Sequence, residues 1–170
     1  MTIYKNYLYG AYGSNLNKQQ MEMRCPNAKP IGTIIIPDYE LVFRSVADIQ
    51  EAKGLEVPLG LWLITADCER ALDRYEGYPY LYTKTFMQVE HDGKRQRLMT
   101  YQMTDRKYQA PPTNGYLKSI SDGYYDFDID TSYLSDAVSM SYIQTSKDSL
   151  ISDSPRTRDL WSPLDSVDIN

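Results

Sequence analysis

Strand-like and helix-like segments follow one another here without strict alternation, which predicts an α+β domain rather than a doubly wound parallel sheet. Three observations carry that expectation. A chain of 170 residues has the size of one compact domain with a core of its own and room for an appendage. Tyrosine, which favours strands, occurs 16 times against 3 phenylalanines. The helix-like stretches end at clear stop signals, Cys25-Pro26 and Gly77 with Pro79.

The elements are expected in the following order. A first strand occupies about residues 4–12, where Tyr7-Leu8-Tyr9-Gly10-Ala11-Tyr12 is aromatic and apolar. A turn at Gly13 opens a helix over Asn17 to Arg24, closed by Cys25-Pro26 because a residue before proline avoids helical angles. Ile31 to Ile36 and Tyr39 to Val46 read as two strands around Pro37-Asp38, and Val57 to Ile64, with Pro58 and Gly60, as a fourth. Thr65-Ala66-Asp67 supplies caps for a helix whose apolar face is Cys68, Leu72 and Tyr75, with Ala71 beside it. Glu69, Arg70, Asp73 and Arg74 cover its other side, and the helix ends after Glu76. Tyr82 to Glu90 and Lys94 to Met103 flank His91-Asp92-Gly93, a hairpin signal. Ala110-Pro111-Pro112 precedes a helix from Thr113 to about Tyr125, and residues 130–145 read as a last short helix. From Ser146 to Asn170, Ser and Asp make up 11 of 25 residues, so this stretch is expected to be a tail, anchored by Leu160, Trp161 and Leu164.

A net charge of −5 and a pI near 4.9 argue against a nucleic-acid or anionic-membrane surface, which needs a basic footprint. Cys25 and Cys68 lie in different expected helices, too few and too far apart for a disulfide framework or a zinc site. Met1 to Asn6 lacks the organisation of a secretion signal, and no apolar run approaches membrane-spanning length. A soluble, cytoplasmic protein is expected.

Two features bear on chemistry. Tyr12-Gly13-Ser14-Asn15-Leu16 closes the first strand and opens a helix. Gly13 tolerates unusual backbone angles, Ser14 or Asn15 can cap the helix, and free N–H groups of a first turn suit a small anion such as a carboxylate. The same residues also suit an ordinary strand–turn–helix corner. Glu76 is the second feature. At a helix C-terminus it faces the negative end of the dipole, and partial burial among Tyr75, Tyr78 and Tyr80 raises a carboxylate pKa further. A general base working near neutral pH needs that shift. A solvated glutamate at a helix end satisfies the same sequence.

Tyr12-Gly13-Ser14-Asn15-Leu16 followed by Leu72-Asp73-x-x-Glu76-Gly77 resembles the γ-glutamylcyclotransferase family. Met99 to Met103 resembles that family's closing strand, and Pro111-Pro112-x-x-Gly115-Tyr116 its segment ahead of a C-terminal helix. The likeness covers roughly residues 4–128, which sets a domain at 1–130 and leaves 131–170 for a C-terminal helix and the Ser/Asp-rich tail. It implies a small mixed β-barrel flanked by helices, and an enzyme of carbon–nitrogen lyase type that frees 5-oxoproline from a γ-glutamyl peptide or amine without a cofactor. It further implies that the amides of Gly13, Ser14, Asn15 and Leu16, beside Tyr12, hold the substrate's α-carboxylate, with Glu76 as the base and Tyr116 and Tyr125 lining the substrate. The partner is a small γ-glutamyl molecule. Two departures stand out. Asn15 occupies the place where glutathione-specific members usually carry leucine, and Gly123-Tyr124-Tyr125-Asp126 replaces the family's more usual Leu-Pro pattern after the C-terminal helix.

Other chemistries fit less well. A serine triad needs a base for Ser14, and His91, the only histidine, lies in an expected hairpin turn. The turn at Gly13 lacks both the Gly-Lys-Ser/Thr ending and the dinucleotide glycine spacing. Asp126, Asp128 and Asp130 have no following glutamate to complete a calcium loop, so no metal is expected. Arg95 and Arg97, with Lys94, read as a solvated hairpin face. The rival reading is a binding protein of the same shape that holds a metabolite or a partner segment without turnover.

Overall fold

The structure, a computed structural model, describes residues 6–153. Strand β1 (Tyr7–Ala11) leads through a 3-10 turn (Ser14–Leu16) into helix α1 (Lys18–Arg24). A long hairpin follows, β2 (Lys29–Phe43) and β3 (Ala47–Ile64), then α2 (Ala66–Glu76), the hairpin β4 (Tyr82–His91) and β5 (Lys94–Met103), and finally α3 (Asn114–Asp126) and α4 (Ser132–Asp153). The five strands form one sheet in the order β2-β3-β1-β5-β4. Every neighbouring pair is antiparallel except β1 and β5, which run parallel with Leu8 opposite Leu98 and Tyr9 opposite Met99.

The sheet curls without closing, so the barrel implied by the family resemblance is an open, curled sheet with β2 and β4 as its edges. The curl brings the start of β3 to the end of β5 across the short β1. There the Gln102 amide donates to the Ile49 carbonyl at 3.0 Å, and the Met103 N–H donates to Asp48 Oδ1 at 2.9 Å.

The first hairpin differs from expectation. β2 is one strand that runs through Pro37-Asp38, with a register shift between Pro37 and Tyr39. Asp38 takes a left-handed φ of 59°, and its Oδ1 accepts the Gly54 N–H at 2.8 Å. An edge strand admits the proline because its missing N–H costs no ladder bond on the open side. Val46 lies in the turn, where Ser45 has a φ of 66°. β3 begins at Ala47, well before the expected Val57. Residues 48–56, rich in charged residues, have weak strand propensity alone; pairing with β2 decides their conformation.

The core lies on the central strands. Leu59, Leu61, Ile64 and Leu98 are fully buried, as are Leu72 of α2 and Ile120 of α3. Helix α3 packs directly on the 3-10 turn. A Cβ on Gly123 would come within 2.5 Å of the Leu16 Cβ and 2.7 Å of its carbonyl carbon. Glycine there lets helix and turn touch backbone to side chain, which accounts for Gly123 at the place of the more usual pattern. Helix α4 runs to Asp153 rather than ending near 145, and covers β2 with Leu134 and Ala137 buried. It therefore takes in the first part of the expected tail, while Leu160, Trp161 and Leu164 lie outside the described residues. Among the described residues no helix is long and apolar enough to cross a membrane.

Candidate active site

One cavity of about 330 Å³ collects most of the singled-out residues. β1 contributes Tyr9 and leads to Tyr12; the following turn contributes Gly13, Ser14 and Asn15; α2 ends on Glu76; α3 contributes Tyr116. The β2–β3 turn adds Val46 and Ala47, and the stretch around β4 and β5 adds Leu81, Tyr82, Tyr101 and Met103.

Local sequence explains how Glu76 reaches this place. The Thr65 side chain caps α2 by accepting the Cys68 N–H, and Gly77 ends it in the left-handed region at φ 66°. Tyr75, expected on the buried face, is 48% exposed and stands at the cavity rim instead. Burial pushes the Glu76 carboxyl up to about 7; the Arg24 charge and a hydrogen bond from Asn15 pull the other way. Desolvation is thus what raises it, against both of those neighbours. Among the described residues Glu76 has no ion-pair partner.

Asn15 is the hub. Its Oδ1 accepts Arg24 Nη1 at 2.7 Å, so its amide nitrogen faces the other way, donating to Glu76 Oε1 at 2.8 Å and to the Tyr9 hydroxyl at 2.9 Å. Arg24 is itself held by Gln20 Oε1 and the Tyr75 hydroxyl, both at 2.7 Å, and its guanidinium stacks on the Tyr75 ring. Ser14 and Asn15 are not caps of α1, as expected, but members of the 3-10 turn; Asn17 is the cap, its Oδ1 accepting the Gln20 N–H at 3.0 Å. Gly13 has a φ of −109°, outside the left-handed region. What restricts it is space, because a Cβ there would sit 3.2 Å from both Ala47 Cβ and the Tyr116 hydroxyl.

The turn's amides divide into two sets. Leu16 N–H donates to the Gly13 carbonyl at 3.0 Å, and its fully buried side chain lies outside the cavity, so Leu16 has no donor to give a ligand. The N–H groups of Gly13, Ser14 and Asn15 donate to no protein acceptor among the described residues. The tyrosines divide similarly. Tyr12 donates to the Tyr101 carbonyl at 2.6 Å, Tyr82 to the Ala47 carbonyl at 2.9 Å, and Tyr101 to Asp73 Oδ1 at 2.6 Å, so their protons are engaged. The hydroxyls of Tyr9 and Tyr116 instead accept, from Asn15 and from the Ala47 N–H. Burial pushes Tyr116 up to about 12 and Tyr9 well above its ordinary value, so both stay protonated and keep a donor for a ligand.

Tyr125 is 77% exposed and lines none of the cavity; its neighbour Tyr124 takes the buried face of α3. Tyr9, Arg24, Tyr82 and Tyr101 were not singled out from sequence, since each reads as an ordinary strand or helix-end residue. Asp126 and Asp130 are occupied by the backbone N–H groups of Lys18 and Ser132. Among the described residues no group of three or more His, Cys, Asp or Glu side chains is placed to hold a metal ion.

Residues 9–127 match the family model described as gamma-glutamyl cyclotransferase, AIG2-like. A gamma-glutamylcyclotransferase from Bos taurus is 29% identical over 133 residues, which cover 70% of each chain. A solved gamma-glutamyl cyclotransferase superposes with a TM-score of 0.69 at 26% identity, over 78% of this chain and 86% of that one. An uncharacterized protein from Homo sapiens superposes with a TM-score of 0.68 at 27% identity, over the same shares, 78% and 86%.

Proposed function

Since this chain belongs to the gamma-glutamyl cyclotransferase, AIG2-like family, we propose that it releases 5-oxoproline and a free amine or amino acid from a γ-glutamyl compound. The observation that carries this reading is a half-buried Glu76 carboxyl, without an ion-pair partner among the described residues and pushed up to about 7, facing the same cavity as three uncommitted backbone amides. The N–H groups of Gly13, Ser14 and Asn15 receive the substrate's α-carboxylate. The α-ammonium gives a proton to Glu76, and the freed nitrogen attacks the γ-carbonyl carbon of the same molecule. A ring C–N bond forms, the C–N bond to the leaving amine breaks, Glu76 returns its proton to the departing nitrogen, and the second proton shed by the ring nitrogen leaves with the amine as an ammonium. Atoms balance without water, so the reaction is of carbon–nitrogen lyase type.

Folding the substrate onto itself supplies the proximity, worth up to ~7–11 kcal/mol in well-oriented cases. No protein nucleophile is needed. The spare protons of Tyr9 and Tyr116 are placed to meet substrate oxygens, and the Asn15 bond aims the Glu76 carboxylate. Glu76→Gln keeps the Asn15 hydrogen bond but removes the base, and should lower 5-oxoproline release by ~10²–10⁴-fold. Release by this variant at the wild-type rate would remove Glu76 as the base. Tight binding of γ-glutamyl compounds with no release across a broad panel would favour a binding protein.

A further inference from the structure

A groove of about 300 Å³ lies between helix α4 and the β2–β3 hairpin and shares no residue with the cavity of Glu76. Leu55, Ala137 and Met140 supply its apolar surface, and Glu40, Glu56 and Asp136 stand around it. Leu55 is 51% exposed and Met140 50%, so the apolar surface is open. Glu40 and Glu56 accept from neutral groups, the Gln50 amide and the Tyr133 hydroxyl. Among the described residues none of the three carboxylates has an ion-pair partner, and no lysine or arginine lines the groove. Apolar surface in an acidic frame suits a segment that is both apolar and basic.

The sequence holds such a segment just past the end of α4. Arg156-Thr157-Arg158-Asp159-Leu160-Trp161 brings the last two basic residues of the chain next to an apolar pair. Its reach is sufficient. Met140 lies about 20 Å along α4 from Asp153, and the residues from Ser154 to Trp161 extend up to ~26 Å. The order of charges agrees as well. Strand β2 runs in the same sense as α4, because Tyr133 meets Glu56, which pairs with Pro37, while Thr145 meets the Gln109 carbonyl beside Ala110, which bridges to Arg44. A chain turning back from Asp153 therefore passes Glu40 before it comes level with Leu55 and Glu56, as Arg158 precedes Leu160 and Trp161. A tethered segment also sees the groove at a high effective concentration, so modest contacts suffice.

We propose that the segment from Arg156 to Trp161 docks in this groove of its own chain. Leu160 and Trp161 lie against Leu55, Ala137 and Met140, and the two arginines face the carboxylates of Glu40 and Asp136. Tryptophan suits the place because it combines a large apolar ring with an N–H that a carboxylate can accept.

The test uses the full chain labelled with 5-fluorotryptophan and read by fluorine NMR. Trp62 and Trp161 give one resonance each, assigned with Trp161→Phe. The Trp161 resonance should be displaced from that of a free peptide of residues 154–165 and should lose the solvent isotope shift that the peptide shows. Leu55→Asp with Met140→Asp, both at exposed positions, should return it to the free-peptide value, and so should Arg156→Glu with Arg158→Glu. The resonance of Trp62, which is buried, reports in each case that the body has kept its fold. A Trp161 resonance at the free-peptide position in the wild type would overturn the proposal, as would one that neither pair of substitutions moves. Return to the free-peptide position on dilution would make the occupant a second copy's segment and overturn docking within one chain.

Discussion

Glu76 carries opposite consequences for catalysis and for stability. An ordinary glutamate in an unfolded chain titrates at about 4.3, whereas in the fold burial holds this one near 7. The folded state therefore binds the proton more tightly, and stability falls as pH rises from the lower value to the higher one. Glu76→Gln should be more stable than wild type above pH 7, by roughly 1–3 kcal/mol, and should show no gain below about pH 4. Thermal melts of both proteins across that range check this. On the proposed reaction catalysis should run the other way, with kcat/KM expected to rise through an acid limb near pH 7, since a base has to be ionised. Arg24 pulls that limb down, acting beside Asn15. Arg24→Met should shift it upward by less than about 1 unit, and an unmoved profile would show that Arg24 only packs against Tyr75. Glu76 and the Gly13–Asn15 turn were legible in the sequence because each is a local signal. Arg24 and Tyr9 were not, because what makes them important is a bond to Asn15 that only the fold creates.

At the scale of elements, helix α3 is the part most sensitive to one methyl group. A Cβ on Gly123 would meet Leu16, whose turn presents the uncommitted amides. Gly123→Ala should cost ~1–3 kcal/mol by overpacking and reduce 5-oxoproline release as the turn shifts. Gly115 lies in the same helix with open space around it, so Gly115→Ala should hold or raise stability by a few tenths of a kcal/mol to about 1 kcal/mol. Urea titrations of the pair separate close approach from a general effect of adding a side chain. The helices and the β4–β5 hairpin were readable because caps, prolines and the His91-Asp92-Gly93 turn mark their ends. The β2–β3 hairpin was half-hidden. Its outer half is specified by cross-strand pairing between stretches such as Tyr39–Phe43 and Ala47–Glu51, and no local pattern in Asp48 to Glu56 announces that partner.

For the molecule as a whole, the curl depends on a few links from β3 to β5. Asp48 is fully buried, bound by Arg44 Nε at 3.1 Å and by the Met103 N–H at 2.9 Å. Its neighbour Ala47 holds the hydroxyls of Tyr116 and Tyr82 through its N–H and carbonyl. Asp48→Ala should therefore cost ~3–5 kcal/mol by leaving a buried Arg44 uncompensated, and should raise KM as that wall of the cavity loosens. Denaturant midpoints and substrate kinetics measure the two effects. The α+β class was legible from element order, but the open, curled form was not, since it rests on Asp48 and Gln102 contacts made across an intervening strand.

The parallel pairing of β1 with β5 also sets a timetable for a chain emerging from a ribosome. Tyr12 secures the cavity floor by bonding to the Tyr101 carbonyl, 89 residues later. A nascent chain that stops short of β5 carries β1 with one bare hydrogen-bonding edge, the kind of surface that recruits stray strands. The opening turn is thus made well before the strand that secures it.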